Sequence, residues 1–185
     1  MRITPRHLIS PLFLISALAL FQFSVHVPKH TPSNHKESPN EVVVSKDIGQ
    51  LSAKYPPSIQ QWNALINTAA DDYGIPSDLI AAVMLQESGG QSSVISSSGA
   101  VGLLQVMPRD GKAASFVCND KPCFSNRPSI TELEDPQFNI HYGTYLLRSL
   151  IDHHPSLREA LRAYGPMDVG FEYADLVLSI YNQYH

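Results

Sequence analysis

The chain of 185 residues has only two cysteines, Cys118 and Cys123, and no concentration of positive charge. Binding to a phosphate backbone needs a clustered Lys/Arg footprint. Here 13 basic residues are scattered among 17 acidic ones, for a formal net charge of −4. Two of the basic residues and none of the acidic ones fall within residues 1–27, which leaves the rest of the chain at −6. That balance argues against nucleic acid as a partner. A zinc site needs about four ligands, and neither a second cysteine pair nor a close histidine pair accompanies Cys118 and Cys123. His153 and His154 are adjacent, which sends them to different faces of a helix, and all eight histidines read as ordinary surface or core residues. No metal and no cofactor is expected. Ser96-Ser97-Ser98-Gly99 is not followed by Gly-Lys-Ser/Thr, and no G-x-G-x-x-G occurs, so phosphate and dinucleotide loops are missing. Ser88 lacks the context of a nucleophile elbow, which argues against a hydrolytic triad. Alternating strand patterns are sparse and no internal repeat is evident, so the class is mainly α.

What is present begins with a leader. Arg2, Arg6 and His7 precede a run that is apolar through most of residues 8–27. Residues 1–27 read as a signal peptide or membrane anchor. Ala17-Leu18-Ala19 offers a small-residue cleavage site, yet the apolar run continues past it and is about long enough to cross a bilayer, which favours the uncleaved anchor. With the positive end inside, the remainder faces the extracytoplasmic side of the envelope. An oxidising compartment permits a Cys118–Cys123 disulfide, which closes a small loop and adds about 2 kcal/mol. Residues 28–57, with Pro28, Pro32, Pro39, Pro56 and Pro57 among polar residues, have the composition of a flexible linker. Val42-Val43-Val44 is its one short strand signal. Residues 58–185 are then one globular domain of 128 residues.

Apolar spacing predicts five helices in that domain. Ser58 is the expected cap of the first, which runs through Ile59, Trp62, Leu65, Ile66, Ala69 and Tyr73 and stops at Gly74. Pro76-Ser77-Asp78 starts the second, which is apolar almost all round through residues 79–85 and therefore central. Asp135-Pro136 opens the third as cap and first residue, to about Asp152. Ser156 caps the fourth, which ends at Gly165-Pro166. Phe171, Ala174, Leu178 and Tyr181 mark the fifth. A long loop carrying the cysteine pair lies between Pro108 and Thr131, and loops of that length are often functional.

The most informative stretch follows the second helix. Glu87 comes near its C-terminal end, just before Gly89-Gly90, and the turn Gly102-Leu103-Leu104-Gln105 with Met107-Pro108 comes after it. A carboxylate there is disfavoured both by the helix dipole and by apolar neighbours, and both raise its pKa. A raised pKa lets one group serve first as acid and then as base. Spacing alone leaves two readings open, this one and a solvated glutamate at a helix end. The turn likewise reads either as part of a site or as tight turns with Leu103 and Leu104 in the core.

At these residues the chain resembles the soluble lytic transglycosylase catalytic domain, of the lysozyme-like superfamily shared with goose-type lysozymes. The motifs are Glu87-Ser88; Gly99-Ala100 with Gly102-Leu103-Leu104-Gln105 and Met107-Pro108; Asp135-Pro136 with Asn139-Ile140, Gly143 and Tyr145-Leu146; Ala163-Tyr164; and Tyr173-Ala174 before Val177. The resemblance implies a single lysozyme-like helical domain with a catalytic cleft. It implies that Glu87 is the sole acid/base, cleaving the β-1,4 bond between N-acetylmuramic acid and N-acetylglucosamine and leaving a 1,6-anhydromuramoyl end. It implies that Gln105 and Tyr164 line the cleft, that Ser88 hydrogen-bonds near the acid, and that Met107 packs against the cleft or the core. The partners expected are peptidoglycan glycan strands and a secretion or division apparatus of the cell envelope. One departure stands out. The family follows Ala-Tyr with Asn, whereas here Ala163-Tyr164 runs into Gly165-Pro166. The cysteine loop is not part of the motifs and reads as a stiffened surface loop, the alternative being one end of the groove. Two rivals remain. A hydrolytic muramidase on the same fold needs a second carboxylate, for which Asp110 and Asp168 are the candidates. A non-catalytic wall-binding or scaffold domain is the other.

Overall fold

Between residues 77 and 85 the only charged side chain is Asp78. Such a segment is stable as a helix only where protein surrounds it. A computed structural model describes residues 49–166 and 169–185, and in it this helix is the centre of the fold. In chain order the elements are α1 (Pro57–Gln60), α2 (Asn63–Tyr73), α3 (Ser77–Ser88), a 3-10 turn (Gly111–Ser115), β1 (Val117–Cys118), β2 (Lys121–Pro122), α4 (Ile130–Leu133), α5 (Pro136–His153), α6 (Leu157–Tyr164) and α7 (Glu172–Tyr184). Helix α3 packs against α1, α2 and α7; α5 packs against α2, α4 and α6; and α6 packs against α7. Leu79, Ile80 and Met84 are sealed from solvent in the middle, with Ile66, Leu103, Leu104, Ile140 and Leu161. The mainly α class expected from sequence is therefore the class observed.

The helix starts at α5 and α6 follow the predicted chemistry. The Asp135 carboxylate accepts from the Phe138 amide at 2.7 Å with Pro136 at the first position, and the Ser156 hydroxyl accepts from the Glu159 amide at 3.2 Å. The first predicted helix is corrected. It is two helices, and Ser58 is not a cap but the second residue of α1, after Pro57. The chain breaks at Trp62, whose indole N–H reaches across to donate to the Gly90 carbonyl at 2.9 Å. The linker boundary also moves. Leu51 and Tyr55 are buried in the core, and the Tyr55 hydroxyl donates to the Asp78 carbonyl at 2.8 Å. The packed unit thus includes residues that composition had placed in the linker, because two apolar anchors outweigh the surrounding prolines and polar residues. The expected leader, residues 1–27, and the short strand at 42–44 lie outside the described residues. Among the described residues no helix is long and apolar enough to cross a membrane.

The loop after Pro108 has more structure than its composition suggests. β1 and β2 form a short antiparallel hairpin, and the expected disulfide joins Cys118 to Cys123 with their Cα atoms 4.9 Å apart. Ser129 and Glu132 then form a reciprocal capping box that starts α4.

Candidate active site

Glu87 sits in the last turn of α3, and the helix ends immediately beyond it because Gly89 adopts the left-handed conformation at φ 63°. The carboxyl group is largely buried between α3 and α7. Tyr173 of α7, itself 6% exposed, donates its hydroxyl to Glu87 Oε1 at 2.5 Å. Two effects oppose each other at this carboxyl. Burial raises its pKa and the Tyr173 hydrogen bond lowers it; burial wins, and the value is pushed up from 4.5 to about 7. Burial also raises the Tyr164 and Tyr173 hydroxyls, and the Glu87 charge adds to both. Both phenols therefore stay protonated donors near neutral pH.

The 102–105 turn, tied to the end of α3 by Ser88, is held from α5. Asn139 is 1% exposed; its side-chain oxygen accepts from the Leu104 amide at 2.9 Å, and its nitrogen donates to the carbonyls of Val101 and Leu133, each at 2.9 Å. Gly102 makes this close approach feasible. At φ 77° it is in the left-handed region, and a Cβ on it would lie 2.3 Å from Asn139 Nδ2. Tyr164 clamps the same turn from α6, donating to the Leu104 carbonyl at 2.9 Å. Gln105 follows with φ 43°, an uncommon conformation for a residue with a side chain. Its amide nitrogen offsets the strain by donating to Gly102 and Val94 carbonyls at 2.9 and 3.1 Å. Both donors of that amide are thus committed, and Oε1 remains as the acceptor available to a ligand.

Gln105, Met107 and Tyr164 come together on one cleft of about 520 Å³, which α5, α6 and the disulfide hairpin complete. Glu87 is not part of the lining of this volume; the lining Tyr164 hydroxyl is raised in pKa in part by the Glu87 charge. Ser88 is elsewhere. It is 7% exposed, its hydroxyl donates to the Leu103 carbonyl at 2.8 Å and accepts from the Gly90 amide at 3.2 Å. It ties the helix end to the turn rather than facing a ligand. Cys118 and Cys123 both border the cleft.

Two residues that hold the acid and the turn were not singled out from the sequence, Tyr173 and Asn139. Both lay inside the quoted motifs, and a motif does not say which side chain faces the acid. The structure also accounts for the glycine that replaces the expected asparagine. A Cβ on Gly165 would lie 2.4 Å from two atoms of the Tyr173 ring. The ring that holds Glu87 fills the space that a side chain at 165 would need.

No carboxylate contributes to the Glu87 shift, and none borders the cleft among the described residues. Asp110, a candidate second acid, is engaged elsewhere, accepting from the Ile130 amide at 2.9 Å. Asp168 lies outside the described residues. No group of three or more His, Cys, Asp or Glu among the described residues converges to hold a metal ion.

Comparison with known proteins agrees with this architecture. The family described as Transglycosylase SLT domain matches residues 64–170. Membrane-bound lytic murein transglycosylase E of Buchnera aphidicola subsp. Acyrthosiphon pisum is 38% identical over 87 residues, covering 47% of this chain and 38% of that protein. Endo-type membrane-bound lytic murein transglycosylase A of Klebsiella pneumoniae subsp. pneumoniae is 34% identical over 95 residues, covering 51% and 45%. A transglycosylase of Enterobacteria phage PRD1 is 33% identical over 104 residues, covering 56% and 34%. The matches thus span less than half the length of each of these relatives.

Proposed function

Since the chain belongs to the Transglycosylase SLT domain family, we propose that it is a peptidoglycan lytic transglycosylase with Glu87 as its single acid/base. The observation that carries the reading is one carboxyl group with a pKa raised to about 7, one tyrosine donor, and no second carboxylate beside it among the described residues. Protonated Glu87 gives its proton to the oxygen linking N-acetylmuramic acid to N-acetylglucosamine, and the C1–O bond breaks. The substrate's own acetamido oxygen stabilises the cationic C1. Glu87, now a carboxylate, removes the proton from the muramoyl 6-hydroxyl, whose oxygen closes on C1. The enzyme ends in its starting protonation state, and no water is consumed. Most glycosidases divide this work between two carboxylates; here the acetamido group and the 6-hydroxyl stand in for the second carboxylate and for water.

The other residues support that cycle. Tyr173 orients Glu87 and stabilises its charged form between the two proton transfers. Tyr164 and Asn139 hold the 102–105 turn in place, and Gln105 offers Oε1 to a substrate N–H or hydroxyl. Met107 supplies an apolar contact in the cleft. The names of the relatives and the basic-then-apolar residues 1–27 support an envelope location with the domain facing the wall.

The test is to digest purified peptidoglycan with the full chain and weigh the products, with Glu87→Gln as the control. Anhydro-ended fragments from wild type and none from the variant are the expected result. Reducing ends instead would show a hydrolase. No release by wild type would leave a binding domain.

A further inference from the structure

The cleft of about 520 Å³ is poorly suited along much of its length to a polyhydroxyl sugar. Among its lining side chains only Gln105, Arg127, Ser149 and Tyr164 are polar. Gln105 and Tyr164 have already committed their donors to the 102–105 turn or to Val94. The end bordered by the disulfide hairpin is apolar. Phe116 and Phe124 flank the hairpin in a T-shaped pair with centroids 6.1 Å apart, and Phe116 is 41% exposed. The Cys123 amide donates to the Phe116 carbonyl at 2.9 Å, so the disulfide and this bond hold the two rings in register.

Among the described residues Arg127 is the one cation that lines the cleft. Arg109, Arg148 and Arg158 each pair with a carboxylate, whereas no carboxylate among the described residues lies within 4.0 Å of the Arg127 guanidinium. Its neighbour is the Phe124 ring, 5.9 Å from guanidinium carbon to centroid. Its backbone is fixed at both ends: its amide donates to the Phe124 carbonyl at 2.9 Å, and its carbonyl accepts from Arg109 Nη1 at 3.1 Å. The backbone that carries the side chain is therefore held, and the guanidinium has no carboxylate partner among the described residues, in a chain whose charge beyond residue 27 is −6. A half-buried cation beside small apolar surfaces is complementary to a short peptide that carries methyl groups and a carboxylate.

We propose that Arg127, with Phe116, Phe124 and the Cys118–Cys123 hairpin, forms a subsite that binds a carboxylate of the peptide stem on the muramoyl residue. The identity of the ligand rests on the function proposed above; the site itself does not require that the chain cleave anything. The carboxylate has two sources in the wall polymer, the stem and the lactyl group left bare when the stem is removed, and the subsite commits to the first.

Affinity, not turnover, is the readout. Soluble glycan fragments are titrated into the full-length chain carrying Glu87→Gln, so that the fragment persists, with and without Arg127→Gln or Arg127→Lys. Three fragments are compared: stems with free carboxylates, stems with carboxylates converted to amides, and strands stripped of stems. Loss of a charge-assisted contact predicts about tenfold weaker binding of the first fragment by Arg127→Gln. It predicts no change for the other two fragments, and recovery of most of the affinity by Arg127→Lys. An unchanged melting temperature shows that the variant is folded, as the backbone bonds of residue 127 imply. Equal loss on amidated or stripped fragments, equal affinity of Arg127→Gln for free-carboxylate stems, or no binding of those stems at all would overturn the subsite. Carboxylate-dependent binding by a chain whose wild type makes no anhydro ends would instead overturn the transglycosylase and leave the subsite standing.

Discussion

Replacing Tyr173 by Phe removes one oxygen atom and tests the electrostatic account of Glu87 directly. The tyrosine hydroxyl donates at 2.5 Å and is the one contribution that lowers a pKa otherwise raised by burial. A hydrogen bond to a charged group contributes about 1.5–3 kcal/mol, and one pH unit corresponds to about 1.4 kcal/mol. Losing the bond should therefore move the Glu87 midpoint up from about 7 by about one to two pH units. The proposed reaction begins with the protonated acid, so kcat/KM should fall as pH rises through that midpoint. In Tyr173→Phe the alkaline limb of the profile should shift upward. The maximal rate should drop, because the charged intermediate state of Glu87 loses its donor. The assay is release of anhydro-ended fragments from purified peptidoglycan between pH 5 and about 9. An alkaline limb that stays in place or moves down would refute the reasoning, since it would mean that the tyrosine does not stabilise the carboxylate.

Other variants probe the same site by different routes. The raised pKa of Glu87 means that the fold favours the protonated form, so stability is full below pH 4.5 and declines as pH rises to about 7, by up to about 3 kcal/mol. Glu87→Gln stays neutral; denaturant titrations should find it more stable than wild type at pH 8 and equal to it at pH 4. Gly165→Ala places a Cβ 2.4 Å from the Tyr173 ring and should shift the pH profile as Tyr173→Phe does, with about 1–3 kcal/mol of destabilisation. Combined with Tyr173→Phe, its effect on the profile should be less than additive. Asn139→Ala removes the side-chain partner of the buried Leu104 amide and of the Leu133 carbonyl, while the Val101 carbonyl keeps the Val106 amide, and should cost about 3 kcal/mol, measurable as a lower melting temperature.

Local chemistry made much of the scaffold legible. The caps at Asp135 and Ser156 act within three or four residues, and so does the stop at Gly74; such effects need no knowledge of the rest of the chain. The unbroken apolar run over residues 79–85 of α3 told that the helix is enclosed. The sequence argument failed where a distant partner decides the local structure. Trp62 breaks the first predicted helix to reach Gly90, and Leu51 and Tyr55 leave a linker-like stretch to enter the core. The Ser129-x-x-Glu132 capping box was readable from the sequence and was passed over inside what looked like an irregular loop.

The sequence by itself determined that this chain is a mainly α domain, that a disulfide between its two cysteines is permitted, and that its motifs place one acid at the end of a buried helix. It did not determine that the acid is buried, because burial of Glu87 depends on α7, whose Tyr173 is 86 residues away. Nor could it explain Gly165, whose missing side chain makes room for that same ring. Propensity and capping act along the chain over a few ångströms, whereas desolvation and steric exclusion act through space. The second pair set the pKa of Glu87, and only the tertiary structure decides them.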